Sequence, residues 1–104
     1  MNTEIIASRR LQYKCRNTEK SGNIVVEIYK PYFLKEEMVD FPITSGNSGC
    51  SVKVIGLGTD YYDQEVYGAD AIQALQLATD IEGILKHIDK KFELFYEDGE
   101  PYFE

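Results

Sequence analysis

Chemistry in this chain would have to come from one histidine, two cysteines and eighteen carboxylates. His87 is the natural first suspect, because only histidine titrates near neutrality without perturbation. It falls on the polar stripe of a helical pattern, one turn from its end, where an exposed cationic residue is ordinary. A metal would need further ligands that the spacing does not supply. Cys50 follows Ser48-Gly49, and a thiol after a glycine-rich loop can act as a nucleophile if a base lowers its pKa. It shares strand parity with Val52 and Val54, however, which predicts a buried strand residue. Cys15 offers less. The segments Ser45-Gly46-Asn47-Ser48-Gly49 and Gly56-Leu57-Gly58 lack both the Lys-Ser or Lys-Thr of a phosphate loop and the dinucleotide spacing, so they read as turns. Close carboxylate pairs could do glycosidase chemistry, but nothing in the sequence singles one out. No catalytic residue, metal set or cofactor motif is read, and the expectation is a protein that is not an enzyme.

A different chemistry is suggested by Asp60, Tyr61, Tyr62, Asp63, Glu65 and Tyr67. Acids interleaved with tyrosines suit a surface aimed at a basic protein partner, with aromatic rings as anchors and charges steering the approach. The competing reading is a polar loop leading into an edge strand. Charge is uneven along the chain: residues 1–30 carry six basic against three acidic residues, and residues 31–104 carry five against fifteen, −10 of an overall −7. Nucleic-acid binding rests on neutralising phosphate, so an acidic domain is a poor candidate for it. Arg10, Lys14 and Arg16 share strand parity and are expected to project together and to pair with acids across a sheet.

These residues need elements to hold them. At 104 residues one domain with one core is expected. No apolar run reaches membrane-spanning length. The start Met1-Asn2-Thr3-Glu4 lacks the flank and apolar stretch of a signal peptide, so a cytoplasmic protein with reduced thiols is expected. From Ile5 to Cys15 apolar and polar residues alternate, which predicts a half-buried strand. Ser21-Gly22-Asn23 turns the chain into a second strand, Ile24 to Tyr29, giving a first antiparallel hairpin. Residues 31–40 fit either a helical turn or an extended edge. Cys50 to Leu57 reads as a central strand and Tyr62 to Tyr67 as a short one. Ala71 to about Lys90 reads as one long helix, with Ala74, Ala78, Ile81, Leu85 and Ile88 as its apolar stripe. Asp70 and Gln73 are spaced as a capping box. Phe92 to Tyr96 is a strand, Asp98-Gly99 a turn, and Pro101 to Phe103 an edge strand or tail. The whole predicts an α+β fold: an antiparallel sheet of four to five strands with one long helix packed on one face.

The segments Ile6 to Leu11, Cys50 to Leu57 and Gly68-Ala69-Asp70-Ala71-Ile72-Gln73-Ala74-Leu75-Gln76-Leu77-Ala78 resemble a family of small bacterial proteins characterised as a domain of unknown function. The resemblance covers most of the chain and implies no activity; its Gly-x-Asp-x-x-Gln core is explained by helix capping. By analogy with small acidic bacterial proteins, the expectation is a protein-binding module, an immunity-like partner of a basic protein. The alternatives are a small enzyme or ligand-binding domain with a pocket between sheet and helix, and a structural subunit of a homo-oligomer joined at an open sheet edge.

Overall fold

A computed structural model describes residues 4–58 and 62–103. The fold is α+β, as the hydrophobic patterning predicts. Among the described residues, six strands form one antiparallel sheet: β1 (Ile5–Cys15), β2 (Ser21–Tyr29), β3 (Tyr32–Phe33), β4 (Ser48–Ile55), β5 (Tyr62–Gly68) and β6 (Phe92–Phe95). Helices α1 (Ala71–Thr79) and α2 (Glu82–Asp89) pack against one face.

The sheet runs β5-β4-β2-β1-β6. The sixth strand, beyond the expected four to five, comes from the ambiguous segment 31–40. β2 pairs with β4 over Val52–Ile55 and β3 pairs with its other end at Ser48 and Gly49, so β3 resumes the row of β2 after Lys30-Pro31. Proline has no N–H to give a ladder, which is why the row is interrupted there. Glu36–Met38 is a single 3-10 turn.

Strand alternation sorts the side chains onto two faces. Leu11, Ile24, Val26, Cys50, Val52, Val54 and Leu94 meet Ala74, Ala78, Ile81, Leu85 and Ile88 in one buried core. The single helix expected over 71–90 is bent in two at Asp80-Ile81. The Thr79 hydroxyl donates back to the carbonyl of Leu75 at 2.9 Å, a bond that competes with the helix ladder. Asp80 then leaves helical geometry, with ψ at 72°. The bend lets α1 lie over β4 and β5 while α2 reaches β6, and the apolar stripe stays buried through it.

Asp70 caps α1 as its spacing predicts, accepting from Gln73 N at 2.8 Å. The reciprocal arm differs by one residue: Gln73 Oε1 accepts from Ala69 N at 2.6 Å and not from Asp70. Gly68 is needed for close approach, since a Cβ there would lie 2.5 Å from Ala74 N. Arg16 departs from expectation. It lies past the end of β1, and its Nη2 pairs at 3.0 Å with Asp89 Oδ2 at the end of α2, away from Arg10 and Lys14. Lys14 stands opposite Glu93 in the β1–β6 ladder.

Candidate functional site

Of the acid and tyrosine set, Tyr62, Asp63, Glu65 and Tyr67 lie on β5, which pairs along its whole length with β4. Opposite residues in an antiparallel pair point to the same side. Asp63 faces Lys53, Glu65 faces Ser51 and Tyr67 faces Gly49, so these three occupy the face away from the helices. Tyr62 faces Val54 and packs against the core on the helix side, so it does not join them. Asp60 and Tyr61 lie outside the described residues.

Around these three the ladder gathers residues distant in sequence. Ser51, 6% exposed, donates through Oγ to the Glu65 carboxylate, 2.7 Å from both oxygens. The Tyr32 ring lies over Gly49, where a Cβ would come within 2.6 Å of it. Burial, followed by the charges of Glu65 and Tyr67, pushes the Tyr32 hydroxyl up to about 12. Tyr67 meets Phe41 edge to face, with ring centroids 5.4 Å apart. On the neighbouring row, Tyr29 donates to Glu27 Oε1 at 2.9 Å, and Lys53 Nζ sits 5.2 Å from its ring centroid. Burial and then Glu27 raise the Tyr29 hydroxyl pKa. The Lys53–Asp63 pair is loose, at 3.9 Å between two half-exposed side chains. The face therefore grades from Arg10 and Lys14 on β1 to Glu27, Asp63 and Glu65 beside rings at the β5 side.

Elsewhere the chemical candidates have structural explanations. Cys50 is fully buried, its Sγ donates to the Tyr29 carbonyl at 3.0 Å, and burial pushes the thiol up, the opposite of what a nucleophile needs. Both cysteines are free thiols. His87 is exposed on α2. The loop before β4 closes on itself: Asn47 Oδ1 accepts from Thr44 N, and Ser48 Oγ donates to the Gly46 carbonyl. Among the described residues no group of three His, Cys, Asp or Glu is disposed to hold a metal.

A cleft between sheet and helix does exist, under the bend at Asp80-Ile81. It is lined by Ala7, Val26, Ile28 and Ile81 with Arg9 and Thr79. Its volume is about 120 Å³, below the roughly 300 Å³ at which ligand pockets begin. Arg9 is already engaged there: its Nη1 donates to Tyr102 OH at 2.6 Å and lies 3.5 Å from Glu82 Oε1. No helix among the described residues is long and apolar enough to cross a membrane. No protein-family model, curated protein or solved structure matches the chain.

Proposed function

We propose that this chain is a non-enzymatic protein-binding module, an immunity-like partner of a basic protein, that uses the helix-free sheet face around Asp63, Glu65 and Tyr67. The observation that carries the reading is the projection of these three from one edge strand to one side, beside Tyr32 and Phe41. Rings held in place by packing supply contact area at little entropic cost, and acids at the rim steer a basic partner. The excess of acids over residues 31–104 acts in the same direction. Two free thiols suit the reducing cytosol as its place of action.

The test compares capture from host lysate by the native chain, by Asp63→Lys/Glu65→Lys, and by Glu97→Lys/Glu100→Lys, which makes the same charge change at the opposite end of the sheet. The reading expects one basic protein retained by the native chain and the control and lost with the β5 reversal. Equal retention by all three would remove these residues from the interface.

A further inference from the structure

We propose that β5 is a strand-addition site: the basic partner contributes an extended segment that pairs with the outer edge of Tyr62–Gly68 and aligns its cationic side chains with Asp63 and Glu65. This rests on the functional reading above and states how that site is engaged. Among the described residues no strand pairs with the outer edge of β5, and apart from its ladder with β4 no backbone hydrogen bond reaches Tyr62–Tyr67. The opposite edge of the sheet is different. There the C-terminal segment lies along β6, with Pro101 bridging Phe95 and Tyr102 N donating to the Leu94 carbonyl at 2.9 Å. An unpaired edge offers alternate N–H and C=O groups to any extended chain, and the side chains flanking it choose which chain is accepted.

The choice of occupant follows from charge. In the full-length antiparallel register of β5 with a second copy, centred on Glu65, Glu65 would face the Glu65 of that copy. Slipping the centre to Gln64 would set Asp63 against Glu65. Like charges directly opposite are destabilising, so both of these registers are disfavoured for a second copy. A segment with Lys or Arg at alternate positions places a cation opposite each acid and leaves the intervening side chains to meet Tyr62 and Val66 on the other side.

The experiment titrates a capped alternating Lys-Val octapeptide, and the same peptide N-methylated at every backbone amide, into the isotope-labelled native chain at low salt, reading amide exchange residue by residue. Expected is slowed exchange at alternate residues of 62–68 with the parent peptide, no such protection with the methylated one, and affinity weakened on the order of tenfold in Asp63→Lys/Glu65→Lys. Equal binding by the methylated peptide would overturn strand addition while leaving the acidic face as the binding surface. No binding of either peptide would also overturn it, and the lysate comparison would then decide the face on its own. Dimerisation of the native chain with protection of the same amides would make a second copy the occupant and overturn the proposal.

Discussion

Ser51 and Glu65 are joined across the β4–β5 pair by a hydrogen bond in which one hydroxyl lies 2.7 Å from both carboxylate oxygens. The hydroxyl is buried and its acceptor is half-buried, so the bond is shielded from water more than a surface contact would be. Ser51→Ala is expected to cost about 1.5–3 kcal/mol, the range for a hydrogen bond to a charged group. Asp63→Ala, which removes only the loose exposed pair with Lys53, should cost less than about 1 kcal/mol. Urea denaturation of the two variants measures both.

Tyr32 and Tyr102 both titrate late, each hydroxyl pushed up to about 12, by burial first and then by Glu65 and Glu82 respectively. A raised folded-state pKa means the native state favours the neutral phenol. The associated stability is therefore fully present below the unfolded value near 10 and is lost as pH rises from about 10 to about 12. Thermal melts across that window should fall steeply for the native chain. Tyr32→Phe/Tyr102→Phe should flatten the decline, and an unchanged slope would contradict the assignment.

Two glycines are expected to respond to alanine with opposite signs. At Gly68 a Cβ would stand 2.5 Å from Ala74 N and 2.9 Å from Gln73 C, so α1 must shift, at a cost of about 1–3 kcal/mol. At Gly83, in the first turn of α2, nothing lies within 4 Å, and alanine should stabilise by about 0.4–1 kcal/mol. Denaturation midpoints of the pair check the sign.

The two thiols should separate in rate. Cys15 is half-buried and its pKa is lowered, first by a hydrogen bond from Thr18, whereas Cys50 is buried with its pKa raised by that burial. Titration of the native chain with a disulfide reagent should show one fast and one slow thiol, apart by about tenfold or more. Cys15→Ser should abolish the fast phase. If Cys50→Ser did so instead, the packing around β4 would be wrong.

Much of the fold is legible in the sequence wherever periodicity is strong. Alternation in Ile5–Cys15 locates β1, Leu11 and Tyr13 are buried as that pattern requires, and Asp70 caps the helix it precedes. The bend at Asp80-Ile81 was not legible, because Ala74, Ala78, Ile81, Leu85 and Ile88 keep one apolar stripe across it; Thr79 gave the only local hint. β3 was hidden because Pro31 breaks the row and two residues are too few to show a period. At the candidate site the sequence reading grouped Tyr62 with Asp63 and Glu65, although strand parity over 62–67 puts it on the other face, opposite Val54. Nothing local could bring in Tyr32, Phe41, Ser51 or Glu27, because their proximity depends on strand order and register.

The C-terminal residues laid along β6 set the stoichiometry of anything this sheet can join. A sheet with two open edges can propagate head to tail into fibres, each molecule adding to the last. With β6 covered, one molecule cannot dock its β5 on the next molecule's β6, so end-to-end growth has no second step. Removing residues 96–103 would expose a complementary edge, and the truncated chain is expected to polymerise at lower concentration than the untruncated one.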